Sequence, residues 1–475
     1  MPTSASELAT LELYAADDAT EIFLIDANLN RIASGLGQLT KQVPPGLYKI
    51  RCRSGASQHD ELIEVVDTQT PIHKSIAPIH FKTAAPIDNT LTTHEYHVAP
   101  AQGLSRQPQH ALGEGAGLFI FVREEEEQFS YHPPHISVHS LDGQQIASFE
   151  QAEHNLQWRW SALNLELSPG TYRLRVTSEH IGTYEIFITA AQDWQTQIFL
   201  VIEPFWFAGQ SVRAPSLKTS SILMSRPYQG FDAFKYTARI NELARLALEQ
   251  GRQVISKSLM NELLCEKFED PMLGIIAAHM LLKKPKPNWH LVNTVCRNLN
   301  MMLGEHPDVQ ALNIAMGKHA QQKVDTVNRP PTLRNSWEYI VKATKRRASL
   351  VERDSLLAQI AHEIVNGGPW LIHRVSDSEQ NTFSPLPSLS ETRRLIEQLA
   401  TLPPDGITEI AELSRYKGGK FTSLERNILN TIVATYKGAS LKEEQSEITA
   451  QQVLSEIKAP AYAISRAVAG IKEKL

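Results

Sequence analysis

Two stretches, IDANLNRIAS (residues 25–34) and VPPGLYKIR (residues 43–51), decide the fold of this chain, because both return in the same order as HSLDGQQIAS (residues 139–148) and LSPGTYRLR (residues 167–175). The offset is 114 residues from Ile32 to Ile146 and 124 from Gly46 to Gly170, so the second copy carries ten extra residues between them, including QWRW (residues 157–160). Asn-Leu-Asn and Leu-Asp-Gly each sit where a hairpin must reverse, and Asp-Gly supplies the positive φ of such turns. Pro-Gly then makes a tight turn into a strand on which Tyr, Ile or Leu, and Arg alternate between faces. Working outward, period-two patterning punctuated by Pro and Gly runs to about residue 205, with strands expected near 11–14, 21–26, 47–53, 61–66 and from Leu118.

The shared PG-x-Y-x-[IL]-R pattern resembles the seven-stranded Ig-like or transthyretin-like modules that serve as spacers or binding domains in bacterial proteins. That resemblance covers about 80 residues per copy and implies two tandem β-sandwiches.

From Phe231 the period changes to 3.6. Ile240, Leu243, Ala244 and Ala247 fall at i, i+3, i+4 and i+7, and Val292, Val295, Cys296 and Leu299 repeat the spacing after a capping Asn288. Further helices are expected over 271–282, 308–322, 353–365 and 391–400. Thr422 with Glu425 and Thr449 with Gln452 have capping-box spacing. A last helix from Pro460 would place Ile464, Val468, Ile471 and Leu475 on one stripe, completing a tri-helical, helix-turn-helix-like unit. The expected layout is therefore a multidomain β + α chain: module 1 over 1–98, a linker over 99–117, module 2 over 118–205 and a linker over 206–230. A helical domain follows over 231–330, then a helical segment over 335–366, a loop over 367–390 and a C-terminal helical domain over 391–475 with the tri-helical unit at 420–475.

The chain has 475 residues and an ordinary globular composition, 42% hydrophobic and 21% charged. Its net charge of -5 conceals an asymmetry: residues 1–205 hold 12 Lys+Arg against 25 Asp+Glu, and residues 206–475 hold 35 against 27. The N-terminus has neither a basic n-region nor an apolar core, and no apolar run approaches membrane-spanning length, so a cytoplasmic protein without membrane contact is expected. Cys52, Cys265 and Cys296 form no C-x-x-C unit, which argues against a disulfide framework or a thiolate zinc site.

No catalytic motif survives inspection, and no catalytic residue, metal or cofactor is expected. His135 and His139 on a strand would stand about 13 Å apart at roughly 3.3 Å per residue, too far to share one ion with His132. His362-Glu363 lacks the second zinc-binding His, because Asn366 stands in its place. Lys417-Gly-Gly-Lys420 lacks the Ser or Thr that must follow a phosphate-loop lysine, and Gly113, Gly115 and Gly117 precede a strand instead of following one. Two charged runs remain. Lys342, Lys345, Arg346, Arg347 and Arg353 form a candidate basic contact patch, and Glu124, Glu125, Glu126 and Glu127 form a candidate acidic docking run, each weighed against a simply solvated face. Arg466, Lys472 and Lys474 of the last helix are the alternative, DNA-contacting set.

The segment LLCEKFEDPMLGIIAAHMLL (residues 263–282), followed by HPDVQALNI (residues 306–314), resembles a helical domain of uncharacterised bacterial proteins over about 100 residues. The resemblance implies membership of multi-gene, peptidase-linked conflict or defence systems and a caspase-like or subtilisin-like peptidase as partner, with no catalytic residues attached. Residue by residue, Glu269 and Asp270 prepare a helix start at Pro271, and Gly274 permits close packing. The function expected is that of a non-catalytic adaptor that binds proteins, with a nucleic-acid-binding regulator as the alternative.

Overall fold

The computed structural model describes residues 8–66, 70–126, 130–207, 209–254, 256, 260–261, 269–352, 355–375, 389–400, 408–412, 423–440, 450–457, 459, 464 and 467–471. Several β-sheets occupy the N-terminal part and helices dominate the C-terminal part. The first sheet contains β1 (Ala9–Tyr14), β2 (Glu21–Ile25), β3 (Arg31–Leu36), β4 (Gln38–Val43), β5 (Gly46–Ser54), β6 (Ser57–Val65) and β7 (Ile72–Ser75) in the order β6-β5-β2-β3-β4-β1-β7. A single residue pair, Leu36 with Gln38, joins β3 to β4 around Gly37, which has φ of +65°. The sheet therefore divides there into a four-stranded and a three-stranded part. Alternation along each strand buries Leu11 and Leu13 from one part with Ile22, Leu24, Ile50 and Cys52 from the other in one core.

The second copy repeats this topology. It contains β9 (Ala116–Arg123), β10 (His135–His139), β11 (Gln145–Ser148), β13 (Trp160–Leu167), β14 (Gly170–Ser178), β15 (Gly182–Ala190) and β16 (Gln195–Phe207). Strands β11-β10-β14-β15 follow the order of β3-β2-β5-β6, and β13-β9-β16 follows β4-β1-β7. The pairing sense is also kept: β1 is antiparallel to β4 and parallel to β7, as β9 is to β13 and β16. The insertion between the repeated motifs forms a 3-10 turn and the short strand β12 (Glu153–Asn155), which pairs with β13.

Each Pro-Gly turn is closed in the same way. The Tyr48 hydroxyl donates to the Pro44 carbonyl at 2.7 Å, and the Tyr172 hydroxyl donates to the Ser168 carbonyl at 2.7 Å. These are equivalent tyrosine corners, each fixing the angle at which β5 or β14 leaves the preceding strand.

Both expected linkers contain ordered structure. The first holds most of the helix Glu95–Leu104 and the strand β8 (His110–Ala111). The second holds the end of β16, then β17 (Gln210–Pro215) and β18 (Ser221–Ser225). All five residues of β18 are buried, so its sequence SILMS has no two-residue alternation to detect. Gly117 belongs to β9 and lies against Gln195, where a Cβ would come within 2.9 Å of that side chain. The expected loop over 367–390 supplies β19 (Ile372–Val375), which pairs with β15 and extends the second copy's sheet. Residues 376–388 lie outside the described residues.

Pro271–Leu282 is helical, begun by Asp270, whose carboxylate accepts from Met272 N at 3.0 Å. It is the central helix: eleven of its residues are buried, and Tyr236–Glu249, Trp289–Leu303 and Pro307–Met316 surround it. Asn288 caps Trp289–Leu303 by accepting from Leu291 N at 3.1 Å. The helix expected over 353–365 is only Leu356–Ile360, because the chain turns at 361–363 to bridge Ile364 with His373. Helices Leu389–Ala400, Ser423–Ser440 and Ala450–Glu456 share a second core with Ile464, Val468 and Ile471, while Thr422, Thr449, Pro460 and Leu475 lie outside the described residues. Among the described residues no helix is long and apolar enough to cross a membrane.

The two charge-asymmetric halves touch. Arg239 donates to Asp17 at 3.1 Å, and Arg252 bonds both Glu21 and the Gly55 carbonyl. Replacing Tyr172 with Phe removes one hydrogen bond without altering packing volume, so it should destabilise the chain by about 1 kcal/mol. The midpoint of urea unfolding measures this, and an unchanged midpoint would show that the corner is not structural.

Candidate functional site

The basic patch lines a groove of about 1240 Å³. One wall is built from the end of the helix Pro307–Met316 and the turn Gly317–His319, and the other from the helix Arg334–Thr344 and the turn that follows. Buried Asp308 holds these walls together by accepting from Thr332 N at 3.0 Å and Leu333 N at 2.9 Å, just ahead of the second helix. Asn293 fixes the loop on the first wall: its amide donates to the His319 carbonyl at 2.7 Å, and its carbonyl accepts from Gln321 N at 3.0 Å.

Lys342, Lys345, Arg346 and Arg347 all line this groove, as do Lys318 and Lys323, which were not singled out in the sequence. Six cations therefore face one space that no acidic side chain lines. Arg347 donates to the Val324 carbonyl, and Lys323 pairs with exposed Asp325 at 3.2 Å. Trp289, Ile314, Met316, Tyr339 and Leu350 contribute apolar surface between the cations. Trp289 stacks on His319 at 4.4 Å, and Tyr339 stacks on His279 at 5.3 Å, so each aromatic ring has one face covered. Lys318 lies on the 3-10 turn and Lys323 in the irregular stretch after it, about twenty residues before the Lys342–Arg347 run, so local spacing does not group them with it. Arg353 lies outside the described residues, as do Arg466, Lys472, Lys474, Cys265 and the Lys417–Lys420 segment.

The acidic run is not a free docking surface. Glu124 is buried and accepts from Arg213 Nε at 2.5 Å, while Glu126 accepts from Arg213 Nη1 at 2.8 Å. Glu125 lies 3.1 Å from Arg123, whose guanidinium is fully buried and bonds the carbonyls of Thr83, Ala84 and Thr92. Burial lowers the Arg123 pKa to about 10. Three of the acidic side chains thus pair with Arg123 of β9 and Arg213 of β17; Glu127 lies outside the described residues.

Four further residues of reactive type, Cys52, His139, Glu185 and Cys296, are buried. Burial pushes the thiols of Cys52 and Cys296 up to about 12, far from the range of a nucleophile. His139 bonds Ser137 at 2.8 Å and the Gly143 carbonyl at 3.0 Å, closing the hairpin. No group of three metal-binding side chains occurs among the described residues. His362 and Glu363 pair with each other at 2.8 Å. Buried Glu185 joins Arg175 at 2.8 Å and His373 at 3.0 Å. Burial alone would raise its pKa, but the bonds from His373 and Arg175 hold it near 2.

No protein family profile matches the chain, and neither does any curated protein. Solved structures with partial likeness include the TIE protein of Bacillus anthracis, at 9% identity and a TM-score of 0.17, covering 39% of this chain and 32% of that one. A leucine-rich repeat protein from Bacteroides thetaiotaomicron has 11% identity and a TM-score of 0.12 over 40% of this chain and 26% of its own. A minor pilin of Streptococcus agalactiae has 10% identity and a TM-score of 0.14 over 44% of this chain and 98% of its own. The chain thus spans about a third and a quarter of the first two proteins. These scores define neither fold nor function.

His279 is fully buried, and burial depresses its pKa from 6.5 to about 4. The unfolded chain takes up this proton first as pH falls. The stability contribution is therefore complete above about 6.5 and is lost progressively between pH 6.5 and 4. His279→Gln should flatten that part of the plot of unfolding midpoint against pH, and an unchanged slope would exclude His279 as its source.

Proposed function

We propose that this chain is a non-catalytic adaptor of a bacterial multi-protein system, in which the basic groove receives an acidic segment of a protein partner. In this reading residues 1–98 and 118–205 are two β-sandwich modules of the Ig-like or transthyretin-like kind, serving as spacers that position the helical region. The observation that carries the proposal is the convergence of Lys318, Lys323, Lys342, Lys345, Arg346 and Arg347 on one groove without an acidic lining residue. Like charges held this close repel one another, and an anionic ligand relieves that repulsion while steering its own approach. The buried thiols of Cys52 and Cys296, raised to about 12, support the non-catalytic part. A caspase-like or subtilisin-like peptidase is the partner implied by the helical-domain resemblance.

The same cations favour a second reading, nucleic-acid binding, through this groove or through the tri-helical unit. His319 covers one face of Trp289 and His279 one face of Tyr339, which leaves each ring a single face on which a single-stranded base could stack.

Fluorescence anisotropy with a labelled Glu-rich peptide and a labelled oligothymidylate separates the readings. The peptide should bind more tightly, and weaken as salt rises. At ~0.5–1 kcal/mol for each exposed charge, Lys342→Glu, Lys345→Glu and Arg346→Glu together should weaken it by tenfold or more. Equal peptide affinity for the triple variant would refute the groove as the site, and preferential oligothymidylate binding with a steep salt slope would favour the second reading.

A further inference from the structure

We infer that the pocket at one end of the second β module binds a short aliphatic carboxylate, with its chain among apolar side chains and its head on Lys218. The pocket has a volume of about 210 Å³ and is distinct from the basic groove. Its walls are predominantly apolar: Val176, Ile181, Phe205, Leu217, Val365 and Ile372 face it. It is larger than the ~150 Å³ apolar cavity that accepts a six-carbon benzene ring. A chain of six to eight carbons is therefore of suitable size.

The walls are held in place before any ligand arrives. Val176 and Ile181 flank the β14–β15 hairpin turn, Phe205 lies on β16, and Val365 and Ile372 come from the helical half of the chain. That last segment is pinned by Trp370, whose buried indole donates to the Ser220 carbonyl at 2.9 Å, and by the bond from Val365 N to Ile372 O at 2.8 Å. Gly368, with φ of +72°, seats the turn directly on Lys218, where a Cβ would lie 2.7 Å from the Lys218 carbonyl oxygen. A preformed pocket of this kind spends little binding energy on ordering its own side chains.

The polar groups select the head. Lys218 lines the pocket, and no acidic side chain does. The Arg374 guanidinium lies beside Gly182, another lining residue, 3.7 Å from where a Cβ would stand. Neither cation has an ion-pair partner among the described residues. Apart from these, the lining offers the serines Ser178 and Ser216 and the Tyr184 side chain, far fewer directional groups than a sugar or nucleobase would need. One negative charge at the end of an unbranched chain matches this arrangement. Such a ligand would touch both the second β module and the segment carrying β19, and would fasten the two halves together.

Isothermal titration calorimetry of the full chain with butanoate, hexanoate, octanoate and octanol tests the proposal. Affinity should rise by about fourfold per added methylene up to octanoate, since each buried methylene contributes a constant increment. Octanol, which lacks the charge, should bind at least tenfold more weakly than octanoate. Lys218→Met should remove that tenfold advantage and leave octanol binding unchanged. Because Lys218 is exposed, this variant is expected to fold, and its thermal unfolding midpoint without ligand checks that. Ala214→Phe, which fills the pocket, should abolish binding of both compounds. Absence of measurable octanoate binding at millimolar concentration, affinity independent of chain length, or an unaltered octanoate affinity in Lys218→Met would each overturn the inference. The triple charge reversal in the basic groove should leave octanoate binding unaffected, which keeps this test separate from that of the adaptor reading.

Discussion

The carboxylate of Glu242 has no access to water, and satisfying it joins the parts of the molecule to one another. Thr83 from the connector after the first module and Ser221 from β18 both donate hydroxyls to Glu242, the latter at 2.6 Å, and Arg245 donates at 3.0 Å from the next turn of the helix. The Ser221 hydroxyl also accepts from Ala85 N at 3.1 Å. Removing one member of a buried charged set leaves the others without partners, a cost of about 3–5 kcal/mol. The connector, the second module and the first helix of the helical region are therefore held in one arrangement. Arg123 reinforces it by drawing the carbonyls of Thr83, Ala84 and Thr92 onto β9.

That arrangement gives the charge asymmetry a physical use. Acidic side chains of the first module meet arginines of the helical half at Asp17 with Arg239 and Glu21 with Arg252, and the side chain of each arginine is mostly buried. Within the second module the acidic run is consumed by Arg213 and Arg123. The cations of the basic groove, by contrast, face a space without acidic lining. Charge is thus matched where elements pack, and in the basic groove it is offset in part by Asp325, 3.2 Å from Lys323 and 3.9 Å from Arg347.

Much of the architecture was legible in the sequence because it rests on local chemistry. The hairpin turns, the Pro-Gly corners with their tyrosines and the caps at Asp270 and Asn288 involve residues within four positions of one another. The internal repeat made the duplication readable as well, and strand order and pairing sense agree between the copies. Strands without alternation were not legible. β18 is buried throughout, and β19 is four residues long and finds its partner nearly two hundred positions earlier in β15. The helix Glu95–Leu104 carries Pro100 and has no strong apolar stripe, so it read as a linker.

The candidate site divides in the same way. Lys342, Lys345, Arg346 and Arg347 were visible as a local run, whereas Lys318 and Lys323 joined them only when Asp308 and Asn293 brought the two walls together. The acidic run looked free because its partner Arg213 lies 87 to 89 positions away. By itself the sequence determined the duplication, the change of period near residue 231 and the type of those elements that carry clear alternation or capping, because turn chemistry, capping and amphipathic spacing act over a few residues. Tertiary structure alone decided which charges are neutralised, where the groove and pocket lie and which half lends a strand to the other. Ion pairing, strand pairing and cavity walls depend on distances in space that residue order does not contain.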